Sequence, residues 1–224
     1  MRSLTAFLLC YNTSMKRLSI ILSTIALLCS CADNRDYAVI YQEKCDKFAN
    51  QNANDFNCDI DFVGDSITEG YNVKRYYKNY KVANRGISGD TTDMLLTRME
   101  VSAYNLEPKV ISLMIGTNNL DTCMNNYEAI LQGFYEHLPN TKVVVVSILP
   151  RRGEDLCKKI KNNNAQIEQL ANKYSYTYVN LYSAFIKDEY QVNESLFKDG
   201  LHPNLRGYRL LTDNLNPVFS NLLN

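Results

Sequence analysis

The chain has 224 residues, 46% of them hydrophobic and 21% charged, and its formal net charge is zero. That length and apolar content suit one globular domain with a sizeable core, and the balanced charge, with no long run of one sign, gives no sign of a nucleic-acid partner. Trp is absent, whereas 16 Tyr are available for polar binding surfaces.

The amino terminus reads as a targeting segment. Met15-Lys16-Arg17 is a short basic region, and residues 18–28 form an apolar stretch too short to span a bilayer. The stretch ends in Leu28-Cys29-Ser30-Cys31. This resembles the lipobox of bacterial lipoproteins, in which small residues precede the cysteine that is lipidated. The expectation is a signal over residues 1–30, with translation starting at Met15, and a lipid on Cys31. An ordinary cleaved signal or an uncleaved anchor is the alternative. Either way the protein is expected to work outside the cytoplasm; the lipobox reading makes it a membrane-anchored lipoprotein, periplasmic or cell-surface.

Removing residues 1–30 takes away Arg2, Lys16 and Arg17 and no acid, leaving 21 basic and 24 acidic side chains, a net charge of −3. Such a body is not drawn to anionic lipid, so the acyl chains would be its only membrane tether. Cys10 and Cys29 leave with the signal, and Cys45, Cys58, Cys123 and Cys157 remain beside Cys31. Four cysteines in an exported protein permit two disulfides, of which Cys45–Cys58 is the most local; four buried thiols are an equal alternative. No C-x-x-C spacing or Cys/His cluster points to a metal.

Residues 31–56 are polar and read as a tether followed by a lead-in helix. The domain, 57–224, then alternates. Residues 60–63 form an apolar strand and 81–84 a short second one. Residues 90–102 have helical spacing through Met94, Leu95 and Met99. Residues 110–115 are a nearly continuous apolar run, as in a central parallel strand. A helix over 121–138 carries Tyr127, Ile130, Leu131 and Phe134 on one face. Residues 142–149 contain four consecutive valines, a second buried strand. A helix over 154–173, a fifth strand over 176–181 and a helix over 203–223, with Pro203 in its first turn, complete the chain. Strands separated by helices give βαβ units, hence an α/β fold: a three-layer α/β/α sandwich around about five parallel strands.

Each polar cluster falls after a predicted strand: Gly64-Asp65-Ser66-Ile67-Thr68 after the first, Asn84 to Thr92 after the second, and Gly116-Thr117-Asn118-Asn119 after the third. Asp199-Gly200-Leu201-His202-Pro203 follows the fifth at longer range. A parallel sheet brings those ends to one edge, where ligand sites form. Ser66 there is either a helix cap or a nucleophile, and a nucleophile needs a base. His202, three residues after Asp199, can present Nδ1 to that carboxylate and keep Nε2 for the serine; Asp199 could otherwise cap the last helix. His137, at the end of a helix on the other edge, reads as favourable to the helix dipole. Gly89 lets a substrate oxygen approach its N–H, and Asn118 offers a side-chain amide; a simple turn glycine, a role open to Gly86 as well, and a loop Asn making a turn bond are the alternatives. Asp65 is expected to hold its turn and Asn119 its loop. Tyr71, Tyr76, Tyr77, Tyr80, Arg85, Arg151 and Arg152 are candidates for the rim, though packing or solvated surface is the commoner role of such residues.

These four blocks, in order over roughly residues 60–215, resemble the SGNH (GDSL-type) hydrolase family. The resemblance implies the flavodoxin-like fold of that family and a serine esterase or acylhydrolase without a cofactor. Ser66 would be nucleophile, His202 base and Asp199 its orienting partner. The oxyanion site would combine the N–H groups of Ser66 and Gly89 with the Asn118 amide. Family members act on acetylated sugars, lysophospholipids, thioesters and short acyl esters. No long apolar lid of the triglyceride-lipase kind is present. The substrate expected is a small-molecule or carbohydrate ester, a carbohydrate O-acetyl ester first, with lysophospholipase or thioesterase activity behind it. A non-catalytic glycan-binding lipoprotein is the alternative from another class.

Overall fold

The computed structural model describes residues 36–53 and 57–224. The predicted signal, Cys31, the start of the tether and residues 54–56 lie outside the described residues. The chain divides into two units after Ile40. The described part of the first, residues 36–40, opens helix α1 (Tyr37–Asn52). The second, 41–224, carries every other element of the described residues.

Five strands form one sheet: β1 (Ile60–Gly64), β2 (Val82–Gly86), β3 (Val110–Met114), β4 (Lys142–Val146) and β5 (Thr177–Val179). Their order is β2-β1-β3-β4-β5, and every neighbouring pair is parallel. The three-layer expectation is met. All of β1 and β3 is buried, and only Lys142 of β4 is exposed. Unbroken runs of branched apolar residues are stable there because helices cover both faces.

The covering helices are α2 (Ser66–Glu69), α3 (Val73–Tyr76), α4 (Thr92–Thr97), α5 (Met99–Ser102), α6 (Met124–His137), α7 (Glu154–Lys173) and α8 (Leu205–Leu223). On one face α4, α6 and α7 pack side by side. On the other, Phe62 of β1 meets Phe219 of α8 edge-on at 5.6 Å between ring centroids and Tyr77 at 5.0 Å. Alternation along β1 sends Asp61 to the first face and Phe62 to the second.

Several boundaries depart from the sequence reading. The helix expected over 90–102 breaks at Arg98, whose side chain turns into the interior. Strand β2 runs on to Gly86. Helix α8 begins at Leu205, because Asn204 caps it by accepting from the N–H groups of Arg206 and Gly207. Pro203 lies just outside, in an isolated bridge with Phe197. The antiparallel pair β6 (Ile186–Asp188) and β7 (Gln191–Val192) was not anticipated. The disulfide alternative is also corrected: Cys45, Cys58, Cys123 and Cys157 are free and buried. Cys45 packs with Phe48 and Ile87, while Cys58 packs with Ala83 and Leu106 in a separate cluster. Burial pushes the Cys58 thiol up to about 12 and the Cys123 thiol to about 11, so both stay protonated.

Candidate active site

Gly64 is in register with Gly86 on one side and Met114 on the other. Three strands therefore end at one level, and the loops leaving them carry Ser66, Gly89 and Asn118. Ser66 opens the one-turn helix α2, but it is not the cap. Asp65 is: its Oδ1 accepts from the Ile67 N–H at 2.9 Å. The Ser66 hydroxyl is thus left to pair with His202, with Oγ 2.9 Å from Nε2. Burial pushes Asp65 up to about 7 even though the Ile67 N–H opposes the shift. The bond from the Ile67 N–H makes Asp65 the residue that holds the turn, as expected.

The turn from Asp199 to His202 is built around one carboxylate. Oδ1 of Asp199 accepts from the backbone N–H groups of Leu201 at 3.0 Å and His202 at 2.8 Å, and Oδ2 lies 2.8 Å from His202 Nδ1. The backbone N–H of His202, then its ring, holds the Asp199 carboxyl well below the usual carboxylate range. An ionised carboxylate only accepts, so Nδ1 carries the proton and Nε2 faces Ser66 as an acceptor. Helix capping, the alternative for Asp199, falls to Asn204.

Gly89 turns the loop after β2 with φ +82°, a conformation that favours glycine. Asn118 sits in a short turn after β3, and its Nδ2 donates to the Asp90 carbonyl at 2.8 Å. One N–H of the amide is used there and the second remains for a ligand. Asn119 holds this loop to the preceding one, as expected: its Oδ1 accepts from the Thr92 N–H, and its Nδ2 reaches Thr92 Oγ1 at 2.9 Å.

Other candidates stand elsewhere. Tyr71 and Tyr77 are core residues, with their hydroxyls 2.9 Å apart, and Tyr71 stacks on Tyr208. Tyr80 is half-buried, with its hydroxyl 3.3 Å from Ser220, and Tyr76 packs on Tyr71. Arg85 is fully buried beneath α1, pairing with Gln51 and Asn52 over the Phe48 ring. It therefore cannot line the rim. Arg151 does reach the Asn118 loop, donating to the Thr117 carbonyl at 3.2 Å, whereas Arg152 pairs with exposed Glu194. His137 stacks on Tyr104 at 4.3 Å. A cavity of about 580 Å³, lined by Tyr135, Tyr174 and Tyr176 among others, lies where β4 and β5 begin, at the opposite edge of the sheet.

The sequence reading missed a buried ion pair. Arg98 Nε donates to Asp90 Oδ2 at 2.8 Å, and its Nη2 donates to the Gly64 carbonyl at 3.0 Å. Both side chains are almost wholly buried. The pair joins the end of β1 to the loop after β2. Its signal was present: Arg98 falls within the apolar stripe of Met94, Leu95 and Met99, where an unpaired charge would not be tolerated. Asn84 was placed in the second polar cluster but its role was missed; its Nδ2 donates to the carbonyls of Thr68 at 2.7 Å and Tyr71 at 3.0 Å, fixing the end of α2.

The profile of the GDSL-like lipase/acylhydrolase family matches residues 62–210. The human platelet-activating factor acetylhydrolase IB subunit alpha2 is 35% identical over 121 residues, covering 50% of this chain and 52% of that protein. The chain thus spans about half the length of the curated relatives it matches. A GDSL-like lipase from Bacteroides thetaiotaomicron superposes with a TM-score of 0.71 at 25% identity, over 79% of this chain and 97% of that one. A Streptococcus pneumonia protein described as a platelet activating factor superposes with a TM-score of 0.73 at 27% identity, over 91% and 99%.

Proposed function

The chain belongs to the GDSL-like lipase/acylhydrolase family, and from that premise we propose that it is a serine esterase that cleaves short acyl esters, acetyl esters first, through an acyl-enzyme. The single observation that carries this reading is the continuous relay from Ser66 Oγ through the His202 ring to Asp199, with contacts of 2.9 and 2.8 Å.

A serine hydroxyl attacks an ester carbonyl only if its proton is taken as the bond forms. His202 Nε2 takes it, and Asp199 holds the ring in the required tautomer and stabilises the imidazolium. The N–H groups of Ser66 and Gly89 and the Asn118 amide receive the oxyanion. Collapse of the tetrahedral intermediate expels the alcohol, protonated by His202. Water then enters, gives a proton to His202 and adds to the acyl carbon; the second tetrahedral intermediate collapses, His202 returns that proton to Ser66 Oγ, and the acid leaves.

The alcohol is assigned to a carbohydrate. The relay lies in a polar, open turn, with the Asp199 side chain 53% exposed, which suits a hydrated sugar better than a long acyl chain. A second reading, an acetylated phospholipid, is favoured by the acetylhydrolase relatives. A glycan-binding protein without catalysis would have no use for the relay. The reading includes export and a lipid on Cys31, supported by the basic region, apolar stretch and lipobox-like residues. Among the described residues no helix is long and apolar enough to cross a membrane.

Purified protein should release p-nitrophenol from its acetate ester, and Ser66→Ala should remove that activity; an unchanged rate in the variant overturns the mechanism. Acetylated xylo-oligosaccharides, acetylated phospholipids and acyl thioesters, offered side by side, identify the alcohol.

A further inference from the structure

Gly89 is expected to supply an N–H to the oxyanion, yet it sits in a loop of its own, apart from the helix that carries Ser66. Two donors in separate loops converge on one oxygen only if something fixes one loop to the other. A displacement of about 1 Å in such a site is enough to cost roughly a hundredfold in rate.

On the far side of Gly89 the fixing group is Arg98, which holds the Asp90 carboxylate and the Gly64 carbonyl together. On the near side it is Glu69, the last residue of α2 and three residues after Ser66. Glu69 Oε2 accepts from both the backbone N–H of Ser88 at 2.7 Å and its hydroxyl at 2.6 Å. Its other oxygen, Oε1, accepts from Lys44 of α1 at 2.5 Å. Burial raises the Glu69 pKa, but the hydrogen bonds from Lys44 and Ser88 outweigh it and the net shift is downward, so the acceptor stays ionised. The backbones of α2 and β2 also touch at this point. A Cβ on Gly86 would stand 2.2 Å from the Glu69 nitrogen, so only glycine admits the contact.

We propose that Glu69 is a positioning residue: by clamping Ser88 to the helix that carries Ser66, it sets the Gly89 N–H in line with the Ser66 N–H. This inference rests on the esterase reading above. Glu69 touches neither substrate nor the reacting atoms. It acts through Ser88, and Lys44 keeps it ionised and oriented.

The test compares wild-type protein with Glu69→Ala, Glu69→Gln and Ser88→Ala on p-nitrophenyl acetate, with active sites titrated by a fluorophosphonate and Tm recorded for each. The clamp predicts a kcat per titrated site about tenfold lower for Glu69→Ala, with KM nearly unchanged. Glu69→Gln, which keeps one acceptor for Ser88, should recover part of the loss. Ser88→Ala, which keeps the backbone bond and serves where Glu69→Ala does not fold, should lose about threefold. A merely structural role would lower Tm and leave kcat per titrated site at the wild-type value; that result, in Glu69→Ala or in Ser88→Ala, overturns the proposal. A wild-type protein with no esterase activity and no fluorophosphonate adduct overturns the esterase reading and the clamp with it. Active wild type with fully active variants overturns the clamp alone.

Discussion

Asn118 shows how a single side chain serves two loops. Its Nδ2 is bonded to the Asp90 carbonyl, which orients the amide without exhausting it. Replacing it with Ala removes the proposed oxyanion donor, and kcat on p-nitrophenyl acetate should fall by about 10²–10³, with a much smaller change in KM. Steady-state kinetics on the purified variant check this, and a variant within twofold of wild type would remove Asn118 from the oxyanion site. At this scale the sequence was most legible where a residue's role depends on its neighbours in the chain. Asp199 and His202 are three apart, and their pairing needs only a turn. Asp65 was read as holding its turn, but whether Ser66 capped the helix stayed open in sequence, and the structure gives the cap to Asp65. The rim was least legible. Arg85 and Tyr77 look like surface residues in sequence, but their burial depends on α1 and α8, elements distant in the chain.

Strand β1 carries the same lesson together with a cost. Apolar neighbours made the strand readable, yet Asp61 within it is fully buried, and among the described residues neither carboxylate oxygen has a hydrogen-bond partner. Burial pushes its pKa up to about 8, against the pull of Arg85 and Arg98. The folded protein therefore holds a proton that the unfolded chain releases near pH 4. The stabilisation associated with that proton is full below pH 4 and is lost as the pH rises towards 8. Asp61→Asn does not titrate, so its Tm relative to wild type should rise progressively from pH 5 to pH 8. A constant difference across that range would show that Asp61 is not protonated in the folded state. The broken helix at Arg98 and the β6–β7 pair were illegible for another reason. The first depends on a partner in the preceding loop, and the second consists of strands too short to show a period.

For the whole molecule, three strands that end at one level bring three short motifs to one edge of the sheet, and the His202 contact with Ser66 joins the fourth to the same candidate site. The order of strands was readable because parallel strands need long crossovers, and those from β2 onward left apolar faces in the sequence, whereas the two one-turn helices between β1 and β2 are too short to show a period. The proposed lipid anchor belongs to this scale too. Cys31→Ala should move the full-length protein from the membrane to the soluble fraction of a bacterial host and end the incorporation of labelled palmitate; unchanged fractionation would contradict the anchor. The central claim is that Ser66 is the activated nucleophile of the chain. Intact-protein mass spectrometry after treatment with a fluorophosphonate tests it most directly. One adduct per wild-type chain and none on a folded Ser66→Ala variant is the predicted result, whereas an unlabelled wild type, or a variant labelled as fully as wild type, would contradict it.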